Sequence, residues 1–267
     1  MPEPATSGHV PVEGGKVWYE TFGIGEPLVL LHGGLMTNEA WGPILPALAA
    51  DHEVIAIELQ GHGHTGPIER PMSYEAMAAD VAAVIEALGY DSVDVVGYSM
   101  GGSTGLRLAL DRPELVDRLV IASAPYAFSG WHDYNQQGMR GMNVSQAEAM
   151  MQSPLYEFFA AANPDPATNW PKLIEQMGGY MGKDYDWSAE IPGLRVPTML
   201  VYGDWDAVRI SHAARFFELL GGGLQDAQWD ASGMNQNRLA ILPGVTHYTM
   251  MTEPRLAETA LAFLDAE

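Results

Sequence analysis

Residues 93–105 read Val-Asp-Val-Val-Gly-Tyr-Ser-Met-Gly-Gly-Ser-Thr-Gly. The valines suit a buried strand, and the run that follows at 106–110 favours helix. Gly97-Tyr98-Ser99-Met100-Gly101 fits G-x-S-x-G, in which a strand turns so sharply into a helix that the serine is held up in a strained conformation. Gly97 and Gly101 leave room for neighbouring backbone. A helix starting near Met100 turns its free N–H groups and positive dipole end toward Ser99. Five residues make a weak pattern alone; their place between strand and helix gives it weight.

The rest of the chain can be laid out around that turn. Residues 9–12 and 16–22 flank Glu13-Gly14-Gly15 and read as an antiparallel hairpin at a sheet edge. The apolar run 27–31 reads as a buried strand ending in the Gly-rich loop His32-Gly33-Gly34-Leu35-Met36, which can aim a backbone N–H into a site. A helix with Trp41, Leu45 and Leu48 on its apolar side follows, disturbed by Pro43 and Pro46. Strand 54–57 then runs into Glu58-Leu59-Gln60-Gly61-His62-Gly63-His64. The H-x-H spacing of His62 and His64 has no third and fourth ligand nearby, so no metal is expected there. Ser73 should cap a helix over 74–88 that Gly89 ends, and 119–122 is the next strand. Alternating strands and helices imply a parallel sheet with right-handed crossovers and helices on both faces.

From Tyr126 onward the alternation stops. Residues 126–193 carry helix signals, including a capping box at Ser145 and Glu148 and an N-cap at Ser153-Pro154, and they are rich in methionine and aromatic residues. They are expected to form a helical cap inserted between two parts of a core domain, 1–125 and 194–267. Trp131, Met142 and Phe159 from this segment, with Leu35 and Tyr248 from the core, are the candidate pocket residues, because methionine and aromatic side chains adapt to irregular apolar ligands. The sheet pattern returns at 197–202, followed by Gly203-Asp204-Trp205-Asp206. A helix over 211–220, a polar loop over 225–238, a last strand at 239–242 and a closing helix over 253–264 complete the chain. His247 falls in the loop after the last strand. His9, His52 and His212 read as surface residues, and His32 as structural.

Composition removes several alternatives. There is no cysteine, hence no disulfide, thiol nucleophile or Cys-based metal site. A formal net charge of −21 opposes binding to nucleic acid or to an anionic membrane surface. The first twenty residues hold no apolar signal core, and no run approaches the length of a membrane span, so a cytoplasmic location is expected. Oligomeric state is left open.

Serine, acid and histidine thus occur in the order Ser99, Asp206, His247, each just past the carboxyl end of a strand. With His32-Gly33-Gly34, Gly61-His62-Gly63, Gly97-Tyr98-Ser99-Met100-Gly101-Gly102, Gly203-Asp204-Trp205-Asp206 and Gly244-Val245-Thr246-His247, the chain resembles the α/β-hydrolase superfamily over nearly its whole length. That resemblance implies a mostly parallel, doubly wound eight-stranded α/β sheet and a catalytic triad. In it Ser99 is the nucleophile, His247 the general base and acid, and Asp206, rather than Asp204, the residue that orients His247. It implies an oxyanion hole made by the backbone N–H groups of Gly34 and Met100, with Leu35 as a substitute for Gly34, and chemistry that needs no cofactor. Glu58-Leu59-Gln60 departs from the Asp and Arg common before Gly61 in the family, which bears on the subfamily. An aspartate at the position of Ser99 would have suggested an epoxide hydrolase or a dehalogenase. The serine favours a small-molecule ester or lactone substrate. Carbon–carbon bond hydrolase, cofactor-free haloperoxidase and non-catalytic receptor remain the alternatives.

Overall fold

The computed structural model describes residues 1–266. Its centre is an eight-stranded sheet of order β1-β2-β4-β3-β5-β6-β7-β8. The strands are β1 (Thr6–Val12), β2 (Gly15–Phe22), β3 (Glu26–Leu31), β4 (His52–Glu58), β5 (Val93–Tyr98), β6 (Val116–Ala122), β7 (Thr198–Trp205) and β8 (Arg238–Thr246). β1, β2 and β4 pair antiparallel, and every pair from β4 through β8 is parallel. Both faces of the parallel part are covered, so its strands read as continuous apolar runs.

Period-two alternation sorts each strand between two cores. Val29, Leu31, Ile55, Ile57, Val95 and Ile121 pack on one side with Val81 and Ile85 of helix α2 (Tyr74–Leu88) and Leu106 of α3 (Met100–Asp111). Leu28, Leu30, Val54, Val96, Val120 and Val201 face the other side. There they meet Leu45 and Leu48 of the short helix α1 (Leu45–Leu48) and Leu256 and Phe263 of the closing helix α9 (Pro254–Leu264). The start and stop of α2 are those expected. Ser73 Oγ accepts the Ala76 N–H at 3.1 Å, and Gly89 ends the helix at φ 85°.

After β3 the chain moves outward to β4 and then returns to place β5 on the other side of β3. This reversal is a topological switch point, and a crevice opens there beyond the carboxyl ends of the two strands. Leu31 pairs with Gly97, so the loop after β3 and Ser99 after β5 emerge side by side.

Between β6 and β7 lie α4 (Asp133–Gly141), α5 (Ala147–Met150), α6 (Pro154–Ala162) and α7 (Pro166–Met181), and α8 (Ile210–Leu219) follows β7. Three local expectations are corrected. The helix around Trp41 is a 3-10 turn, Asn38–Trp41, separated from α1 by the stretch containing Pro43. The capping box begins two residues early: Asn143 Oδ1 accepts the Ser145 N–H, and Gln146 Oε1 accepts the Asn143 N–H. The last strand continues past Pro243 to Thr246, because Asp204 Oδ1 accepts the Gly244 N–H at 2.7 Å and holds the irregular segment against β7. Among the described residues no helix is long and apolar enough to cross a membrane.

Candidate active site

Ser99 stands at φ 53° and ψ −116° between β5 and α3, a backbone conformation that L-residues avoid unless held. Its N–H donates to Ala122 O at 2.8 Å, tying the turn to β6. Close approach makes the glycines obligatory. A Cβ on Gly101 would strike the carbonyl oxygens of Leu31 and His32, and one on Gly97 would strike Gly101 O.

The three residues far apart in sequence meet here. Ser99 Oγ lies 3.1 Å from His247 Nε2, and His247 Nδ1 lies 3.0 Å from Asp206 Oδ1. Asp206 is buried and accepts further hydrogen bonds from Val208 N–H at 3.0 Å, Gly203 N–H at 3.2 Å and Ser123 Oγ. Burial alone would push its carboxyl up; the His247 bond, the Ser123 hydroxyl and the Val208 N–H outweigh burial and leave it below the usual value. An ionised Asp206 on Nδ1 fixes that nitrogen as the protonated one, so Nε2 presents its lone pair to the Ser99 hydroxyl. Asp204 is occupied with Gly244 and takes no part in the His247 contact.

Aromatic rings surround the imidazole, with centres at 5.2 Å (Tyr98), 5.3 Å (Trp131) and 5.6 Å (Tyr248). The Tyr98 hydroxyl donates to His247 O at 2.7 Å and pins the loop that carries it. Sequence reasoning missed this contact, although Tyr98 is one of the variable positions inside G-x-S-x-G. It also missed Ser123, a small polar residue just past β6 on the same sheet edge, whose position was the available signal.

Ser99, Met100, Gly34 and His247 line a cavity of about 950 Å³, with Trp131, Met139, Met142, Tyr180, Met181 and Tyr248 among its other walls. Two candidate pocket residues lie elsewhere. Phe159 is wholly buried inside the helical segment, its ring 5.1 Å from that of Trp170. Leu35 is buried in the core, and its N–H is already given to His62 Nε2 at 2.9 Å, so it cannot substitute for Gly34 as a donor. His52 is not a surface residue but is buried beside Asp265, and His212 is half-buried, its ring stacked on Tyr126 at 3.9 Å.

Residues 26–142 match the family described as the alpha/beta hydrolase fold. A soluble epoxide hydrolase of Corynebacterium sp. (strain C12) is 42% identical over 113 residues, 41% of this chain but only 38% of that protein. A 2-hydroxy-6-oxo-6-(2'-aminophenyl)hexa-2,4-dienoic acid hydrolase of Metapseudomonas resinovorans is 27% identical over 92% of this chain and 86% of its own length. A carboxylesterase of Bacillus subtilis superposes with a TM-score of 0.72 at 21% identity, over 98% of this chain and 92% of that one. The fold is that of an α/β-hydrolase. The family match covers residues 26–142, and the relatives matched here are themselves hydrolases.

Proposed function

We propose that the protein is a serine hydrolase that cleaves a carboxylic ester or lactone of a small, neutral, largely apolar molecule through an acyl-enzyme. The observation that carries this reading is the continuous contact Ser99 Oγ, His247 Nε2, His247 Nδ1, Asp206 Oδ1 at the floor of the 950 Å³ cavity. A serine hydroxyl is a poor nucleophile at neutral pH, and His247 takes its proton as the bond to the carbonyl carbon forms. Asp206 holds the tautomer and stabilises the imidazolium. The carbonyl oxygen becomes negative and is met by the N–H groups of Gly34 and Met100, the latter at the positive end of α3. His247 then returns the proton to the departing alcohol, and a water activated in the same way releases the acid.

Residues 126–193 act in this reading as a cap, because Trp131, Met142 and Tyr180 line the cavity over Ser99. Its walls of aromatic rings, thioethers and the neutral amides Asn135 and Gln137 suit an uncharged substrate. A second reading, carbon–carbon bond cleavage, draws on the near-full-length similarity to the dienoic acid hydrolase. A dienoate brings a carboxylate into the site, and those neutral walls suit it less well than an ester.

Turnover of a panel of p-nitrophenyl esters, lactones and diketones tests the choice. Short to medium esters or lactones are expected to give the highest kcat/KM. Preferential turnover of the diketones would favour the second reading.

A further inference from the structure

Two loops meet behind the cavity, 32–36 after β3 and 58–66 after β4, and a reciprocal pair of imidazoles ties them together. From the first loop, His32 Nε2 accepts the Leu59 N–H at 3.1 Å; from the second, His62 Nε2 accepts the Leu35 N–H at 2.9 Å. Each ring places its other nitrogen on a carbonyl of its own loop, His32 Nδ1 on Gly33 O and His62 Nδ1 on Gln60 O, both at 2.8 Å. Both rings are wholly buried, their centres 5.0 Å apart. A backbone N–H can only donate and a carbonyl can only accept, so each imidazole must be neutral with its proton on Nδ1. Burial agrees, pushing His32 down to about 3 and His62 down to about 4.

Leu35 sits at φ 62°, in the left-handed region, which a leucine occupies only when the surroundings hold it there. Two contacts hold it there, the His62 bond to its N–H and the turn bond from the Met36 N–H to Gly33 O at 3.3 Å. Gly34, immediately before it, is the residue whose N–H the mechanism uses.

We propose that His62 is a positioning residue: by taking the Leu35 N–H it sets the loop so that the Gly34 N–H is kept for the oxyanion, with His32 holding the opposite loop through Leu59. This rests on the serine hydrolase reading above. The pairing also explains the H-x-H spacing without a metal, since both nitrogens of His62 are engaged while His64 Nδ1 turns to Glu58. Without an acceptor the buried Leu35 N–H is left unpaired, and the loop must shift to find one.

His62→Phe keeps the ring volume and removes the acceptor; His62→Gln keeps an acceptor at about the reach of Nε2. With p-nitrophenyl butyrate, His62→Phe is expected to lower kcat about 10- to 100-fold, less than the roughly 100- to 1000-fold of outright loss of one oxyanion donor because the Gly34 N–H is displaced and not removed, and to leave KM within about threefold. His62→Gln is expected to recover at least about a third of the wild-type kcat. Wild-type kcat in His62→Phe, or a His62→Gln protein as slow as His62→Phe, would overturn the proposal. Should His62→Phe fail to fold, ¹⁵N spectra of the imidazoles in the unaltered protein decide. The Nδ1–H tautomer of His62 at neutral pH is expected, and an Nε2–H tautomer or an imidazolium would overturn it. A wild-type protein that neither turns over esters nor takes up a fluorophosphonate would strike the Ser99 reading and this proposal with it. An active wild type with an equally active His62→Phe variant would strike this proposal alone.

Discussion

Ser99 carries its function at the cost of an unfavourable backbone, φ 53° and ψ −116°. Ser99→Gly is expected to remove hydrolysis and to raise stability by about 1 kcal/mol, read as a higher denaturation midpoint, because glycine tolerates that region. An unchanged or lower midpoint would mean the turn is not strained in this chain. The two aspartates differ in the same direct way. Asp206→Asn is expected to reduce kcat about 10⁴-fold, the scale on which loss of the orienting carboxylate acts in serine proteases with this triad, with Asp204→Asn within about threefold. Greater damage from Asp204→Asn would transfer the orienting role to it. At this scale the sequence was legible where residue type and order suffice: Ser99, Asp206 and His247 stand where their spacing after strands placed them. Ser123 and the His32–His62 crossing were not legible, since each depends on which loops become neighbours across the sheet. That Phe159 and Leu35 lie outside the cavity was not legible for a related reason, because an apolar side chain in a helix or loop looks alike in sequence whether it faces a cavity or a core.

Among the elements, β5 supplies the turn at its carboxyl end and carries an awkward charge at the other. Burial raises the Asp94 carboxyl from 3.8 to about 7, and Asp117 and Asp265 add to the rise against the opposing pull of Arg118. A carboxyl with a raised folded value binds more protons folded than unfolded between those limits. Stability is therefore lost as pH rises from about 4 through about 7. Asp94→Asn should remove this loss. A gain of about 1–2 kcal/mol at pH 8, discounted for partial exposure, is expected to vanish near pH 4 in urea titrations. An equal gain at both pH values would contradict the assignment. Helix α7, with Pro171 inside it, was not told apart within 126–193. Strands and the helices α2, α8 and α9 were legible to within a few residues because their apolar periods are strong, as in α2 with Ser73 and Gly89 at its ends. The short helices around Trp41 and Asn143 were not, since prolines and competing caps within a few residues allow several local solutions.

Over the whole molecule, 34 acidic residues face 13 lysines and arginines. Such an excess repels itself within the compact state, and screening relieves it, so raising sodium chloride from about 10 to about 200 mM should raise Tm. A Tm that falls with salt would show that paired charges outweigh the excess. The same arrangement of sheet and crossings brings three distant side chains to one crevice, and the account depends on the alcohol found there being reactive. Peptide mapping after incubation with a fluorophosphonate measures this most directly. A single adduct on Ser99, absent from Ser99→Ala and slowed in Asp206→Asn, is expected; no adduct, or one on a different residue, would contradict it.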